Sequence, residues 1–192
     1  MIQLQKSLIL ASSSPRRHQL LTQMGFEFAV EVRPTDESFP ATMPPIEIPA
    51  YLAKNKAAQF EIDVADNLIL CADTVVVADN IVLNKPATKE EAYQMLRKLS
   101  GRSHEVITGV CLLSKEGYQT QTDVAKVYFK NLTDKEIRYY IQHYKPFDKA
   151  GAYGVQEWIG MIGIEKIEGS FYTIMGFPLH KVYQLLTPYI VA

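Results

Sequence analysis

The stretch Leu68-Ile69-Leu70-Cys71-Ala72-Asp73-Thr74-Val75-Val76-Val77 constrains this chain more than any other. It is the most apolar run in the sequence and predicts a strand over 68–72 that continues into 75–78. One carboxylate interrupts it. An isolated charge among apolar side chains is costly, so Asp73 must be paired, metal-bound or exposed at a strand end. Sheet proteins place ligands at strand ends, which makes a functional Asp73 one reading. A turn or edge aspartate bonded to backbone is the other.

The remaining pattern surrounds this strand with both helices and strands. A short strand over 8–11 leads through Ser12-Ser13-Ser14 to Pro15, with Ser14 as N-cap and Gly25 as stop. Further strands are expected at 27–32, 81–83, 105–113, 118–129 and 161–167. Helices are expected at 49–60, 89–99, 133–144 and 178–186. Asp79-Asn80 predicts a hairpin turn, Thr88 and Thr133 predict caps, and four prolines make 33–45 an irregular loop. Mixed elements of this kind predict an α/β sheet protein.

The charge is nearly balanced, with 20 Lys plus Arg against 21 Asp plus Glu, a net of -1. Proteins that ride on nucleic-acid backbone carry a basic excess, so that class is disfavoured. With 47% hydrophobic residues the composition is globular rather than disordered. A chain of 192 residues buries roughly 70% of its unfolded surface and needs no staple. Cys71 and Cys111 lie in apolar runs and read as buried free thiols. The histidines His18, His104, His143 and His180 show no triad pattern and read as surface or capping residues. Their spacing with the cysteines disfavours structural zinc. Met1–Lys6 is too polar for a signal peptide, and no apolar run approaches a membrane span, so the expectation is a cytoplasmic protein with no membrane partner.

Several segments carry chemistry, each with a bland alternative. Ser12-Ser13-Ser14-Pro15-Arg16-Arg17 joins a strand end to a helix N-terminus, an arrangement suited to phosphate. It is also what a serine cap with two solvated arginines looks like. Lys56 shares a helical row with Leu52 and Phe60, so it either snorkels or points into a cleft. Asp36-Glu37 is either a solvated acidic pair or a Mg²⁺ holder. Lys85-Pro86 is unremarkable by itself. Asp148–Gln156 is a small-residue turn that either admits a ligand closely or is a plain loop.

Taken in order, these pieces resemble the Maf family of nucleoside triphosphate pyrophosphatases. The resemblance is carried by Leu10–Arg17, Asp36-Glu37, Leu52–Ala57, Ala72–Val76 and Lys85-Pro86. It continues through Leu96–Gly101, His104–Val110, Asp148–Gln156, Ile167–Ser170 and Gly176–Leu179. It implies a single domain over 1–192, similar to inosine triphosphate pyrophosphatases. The implied fold is two lobes around a long mixed twisted sheet flanked by helices, with the nucleotide in a central cleft. It also implies hydrolysis of a nucleoside triphosphate to the monophosphate and pyrophosphate with a divalent metal, Mg²⁺ or Mn²⁺, and a homodimer.

Carried over residue by residue, Asp73 is the proton acceptor. Ser12, Arg17, Glu37, Lys56 and Lys85 line the phosphate and metal site, with Glu37 toward the metal. Arg16, Thr74 and Gln156 match the selectivity positions of the dTTP/UTP branch, whereas the 7-methyl-GTP branch carries an aromatic, Gln and Glu there. Ser13 and Asn84 stand where the family often has Gly, and Glu157-Trp158 where it has a small residue. The resemblance leaves two alternatives, the same reaction on another base and a nucleotide-binding regulator of cell division with little turnover.

Overall fold

The computed structural model describes residues 2–191. The architecture is α/β: a mixed seven-stranded sheet flanked by helices, in the order β2-β1-β3-β5-β6-β7, with β4 paired to β3 off this path. The strands are β1 (Ser7–Leu10), β2 (Ala29–Val30), β3 (Asn67–Ala78), β4 (Ile81–Leu83), β5 (Ser103–Ser114), β6 (Gly117–Phe129) and β7 (Ile164–Glu168). The α-helices are α1 (Pro15–Gln23), α2 (Ile48–Ala58), α3 (Lys89–Leu99), α4 (Asp134–Tyr144), α5 (Trp158–Gly163), α6 (Phe171–Ile174) and α7 (Leu179–Leu186). β1 runs parallel to both β2 and β3, while β3/β4 and β6/β7 are antiparallel.

The chain divides into two compact units. The first comprises Met1–Asp73, Thr108–Asp123 and Gly176–Ala192, and the second Thr74–Ile107 and Val124–Met175. In the first, Ile9 and Ala11 next to β3's Ile69 and Cys71 pack with Ala53, Ala57 and Phe60 of the α2 region and with Cys111 and Leu113. Both cysteines are free and buried. Burial pushes the Cys111 thiol up to about 12 and the Cys71 thiol higher still, which disfavours the thiolate form of both. Gly109 makes α2's close approach possible, because a Cβ there would run into the backbone of Pro49 and Ala50. In the second unit, Leu96 and Leu99 of α3 and Ile137 and Tyr140 of α4 meet Val127 and Phe129 of β6 in one apolar cluster.

β3 is a single strand of 12 residues, buried at 68–72 and 75–78 and half-buried only at Asn67, Asp73 and Thr74. Strands covered on both faces read as continuous apolar runs, which is why this stretch dominates the sequence. The hairpin turn is as expected, with Asp79 and Asn80 at φ 52° and 60°. Thr88 caps α3 by accepting the Glu91 N–H, and Thr133 and Glu136 form a reciprocal capping box on α4.

Four expectations fail locally. The strand expected at 27–32 is only Ala29–Val30, an exposed edge pair bonded to β1 alone; short edges of this kind limit unwanted pairing. Met161–Gly163 belongs to α5, and β7 begins at Ile164. Short apolar runs do not distinguish helix from strand by period, and here Ile159 and Gly163 are buried while Met161 is exposed. Ser14 has the extended backbone of an N-cap, but its side chain makes no capping bond. His104 is buried rather than superficial: 2% exposed, with Nε2 2.7 Å from the Tyr153 hydroxyl and its ring stacked on Phe129.

Candidate functional site

The first unit brings five of the expected residues into one connected cluster. α2 starts on Ile48 and Pro49, and buried Leu52, with buried Phe60 just beyond the helix end, sets the direction of Lys56 between them. The lysine does not merely snorkel. Its ammonium lies 2.6 Å from Asp73 Oδ1 and 2.7 Å from Glu37 Oε1. Lys54, two residues back, sits over the Tyr118 ring at 5.1 Å instead. Asp73 therefore lies within a strand, paired, rather than at a strand end or a turn. Its side chain is 15% exposed against 52% for Glu37, so the cluster has an inner and an outer carboxylate.

Burial is the largest influence on Lys56 and acts to lower its pKa. Coulombic attraction and hydrogen bonds from Asp73 and Glu37 outweigh it, and the net shift is upward. The ammonium is thus held charged. It donates to Asp73 and leaves that carboxylate's remaining lone pairs available.

Arg17 anchors the other side. Its Nε donates to the Gly176 carbonyl at 2.8 Å, and one terminal nitrogen donates to the Ala72 carbonyl at 2.8 Å and to Ser12 Oγ at 3.3 Å. Part of its donor fork is therefore committed to backbone carbonyls, one of them that of Ala72, the residue before Asp73. Burial lowers its pKa, with Asp73 and Glu37 opposing, yet a guanidinium remains cationic at neutral pH. Ser12 Oγ also accepts the Ser14 N–H at 3.2 Å, and the His18 ring reaches the Ser12 carbonyl at 2.5 Å. These bonds shape the β1–α1 turn. Arg16 is half-buried at the start of α1 and lowers the Arg17 pKa by like-charge repulsion.

Thr74, Lys85 and Gln156 belong to the second unit. Thr74 follows Asp73 along β3 and is half-buried, Lys85 is exposed after β4, and Gln156 is half-buried ahead of α5. The Asn84 carbonyl beside Lys85 accepts the Gly151 N–H at 3.3 Å, tying this segment to the loop that ends at Gln156. That loop is more heavily bonded than its small residues suggest. Glu157 pairs with Lys149 at 3.0 Å and accepts the Tyr140 hydroxyl. Sequence reading missed Tyr140 and Lys149; Glu157 was visible only as a departure from the resembled family.

Among the described residues no group of three or more His, Cys, Asp and Glu side chains could hold a metal. Two hard carboxylates already sharing one cation do fit Mg²⁺ or Mn²⁺, since such ions take one or two protein carboxylates and complete their shell with water and substrate phosphates. Among the described residues no helix is long and apolar enough to cross a membrane.

A family model described as "Maf-like protein" matches residues 7–189. The chain belongs to the Maf family. A relative from Cytophaga hutchinsonii named dTTP/UTP pyrophosphatase is 50% identical over 175 residues, 91% of this chain and 80% of that protein. Proteins of the same name from Bacteroides fragilis and Bacteroides thetaiotaomicron are 46% and 49% identical, covering 93% and 92% of this chain and 94% and 92% of their own lengths. The ordered motifs that suggested this Maf kinship thus include the paired Lys56, Asp73 and Glu37.

Proposed function

We propose that this Maf protein hydrolyses dTTP and UTP to the monophosphate and pyrophosphate. The observation that carries the reading is the half-buried Asp73 held by the Lys56 ammonium beside a second carboxylate, in a chain whose relatives bear the name dTTP/UTP pyrophosphatase. Asp73 has free acceptor capacity with which to orient a water and take its proton as oxygen attacks the α-phosphorus. The bond from that phosphorus to the bridging oxygen breaks, and pyrophosphate leaves.

The incoming triphosphate brings about four negative charges, which Arg16, Lys56 and Lys85 offset together with Ser12 as a neutral donor. Arg17 contributes charge but acts chiefly by fixing the β1–α1 turn against the Ala72 and Gly176 carbonyls. A divalent metal held by Glu37 and Asp73 would neutralise phosphate charge and acidify water. Gln156, with a donor and an acceptor on one amide, suits a pyrimidine edge, with Thr74 assisting. On the family resemblance we also expect a homodimer working in the cytoplasm.

The test is a screen of nucleoside triphosphates with Mg²⁺ or Mn²⁺ that reads pyrophosphate separately from phosphate. Pyrophosphate release strongest with dTTP and UTP is the expected result. Release of phosphate alone would overturn the proposed cleavage position.

A further inference from the structure

The loop that ends at Gln156 is closed by a latch, and we propose that Glu157 is the positioning residue that sets Gln156 for base discrimination. The inference rests on the proposed role of Gln156. Lys149 is only 7% exposed, and its ammonium lies 2.7 Å from Asp148 Oδ1 and 3.0 Å from Glu157 Oε1. Glu157 Oε2 accepts the Tyr140 hydroxyl proton, and the same hydroxyl oxygen accepts the Gly154 N–H at 3.0 Å. Burial first, then the bond to Glu157, raises the Tyr140 phenol well above its ordinary range, so it remains a donor. The Glu157 N–H donates to the Gly154 carbonyl at 3.0 Å. The Glu157 carboxylate thus holds Lys149 and Tyr140, and Tyr140 in turn holds Gly154, so the chain on the N-terminal side of Val155-Gln156 is tied to the residue that follows Gln156.

The backbone is built around this latch. A Cβ on Gly154 would stand 2.8 Å from Glu157 Cδ, so glycine there makes room for the carboxylate. Ala152 is fully buried at φ 61°, directly after Gly151 at φ 68°. An alanine in the left-handed region is strained and persists only where its surroundings hold it. On the far side, the Glu157 carbonyl accepts the Gly160 and Met161 N–H groups at the start of α5.

Such a device is poorly explained by stability. A buried ion pair returns little more than its desolvation cost, so fixed geometry is what this arrangement supplies. An amide must present its donor and acceptor in the right order, and misplacement by about 1 Å can cost on the order of 10²-fold in rate. Glu157 acts through Gln156 and is not itself a catalytic residue.

The experiment compares kcat/KM for dTTP and dGTP, with thermal midpoints, in Gln156→Ala, Glu157→Ala, their double variant, Tyr140→Phe and Glu157→Gln. We expect Glu157→Ala to lower the dTTP preference roughly tenfold, mainly through dTTP. The double variant should match Gln156→Ala, as residues acting through one another are not additive. Glu157→Gln keeps an acceptor for Tyr140 and should restore part of the preference. If Glu157→Ala fails to fold, Tyr140→Phe removes a single hydroxyl and reads the same latch. Loss of thermal stability with an unchanged preference, or multiplied losses in the double variant, overturns the latch. A Gln156→Ala variant that keeps its preference refutes the base-reading role itself; a Gln156→Ala effect without any Glu157 effect refutes the latch alone.

Discussion

Replacing Lys56 by Met isolates the charge that holds the inner cluster, because the side chain keeps its length and apolar stem. Asp73 and Glu37 each lie against the same nitrogen, at 2.6 and 2.7 Å, so their oxygens are no more than about 5.3 Å apart, the sum of the two. Two unit charges about 5 Å apart repel by about 3 kcal/mol at an effective dielectric of about 20, and by under about 1 kcal/mol in water. Glu37 is half-exposed, and the Arg17 charge attracts both carboxylates, which reduces the repulsion. Asp73 also loses a half-buried partner. We expect a net destabilisation of about 2 kcal/mol at pH about 7.5, below the roughly 3–5 kcal/mol of a fully buried broken pair.

The pH dependence follows from the direction of the shift. The folded Lys56 pKa is raised, so its contribution is complete below the unfolded lysine value and is lost as pH rises through the folded value. Wild type and variant should therefore differ fully at pH about 7.5 and converge as pH rises past the unfolded lysine value toward the folded one. Urea unfolding followed by Trp158 fluorescence at about pH 7.5 and about pH 10.5 measures this. A difference under about 0.5 kcal/mol at the lower pH, or one that grows toward alkali, would refute the electrostatic account. Millimolar Mg²⁺ should raise the melting midpoint of the variant more than that of the wild type, since the vacated cation position lies between two hard oxygen donors.

Other substitutions probe the same structure. Asp73→Asn should lower pyrophosphate release by about 10²-fold or more with folding retained, and a wild-type rate would remove Asp73 from the chemistry. His104 is buried, which depresses its pKa to about 4. Its contribution is present above the unfolded value near 6.5 and is lost as pH falls toward 4; His104→Phe should flatten the stability–pH curve in that window. Gly109→Ala should destabilise by roughly 2–4 kcal/mol by forcing α2 from β5, read as a fall in thermal midpoint.

Much of this protein was written locally. The caps at Thr88 and Thr133, the Asp79-Asn80 turn and the long β3 run depend on neighbours a few residues away, and each formed as its residues predict. The ordered motifs also marked the family. The failures arose where period is ambiguous, as at Met161–Gly163, or where burial is decided by distant chain. His104 is buried because Phe129 and Tyr153, both remote in sequence, close over it.

The site divides along the same line. Sequence alone identified Glu37, Lys56 and Asp73 as polar residues in positions that called for an explanation, and left each with a bland alternative. The tertiary structure brings them together, packing α2 against β3 so that the Lys56 ammonium meets Asp73, 17 positions further on, and a loop glutamate. It also showed that Arg17 donates to two backbone carbonyls, and it revealed the bonds of Tyr140 and Lys149 to Glu157, next to Gln156. Helical and strand periods specify which face a residue occupies; which charge it meets there depends on the order of strands in the sheet, which no local period contains.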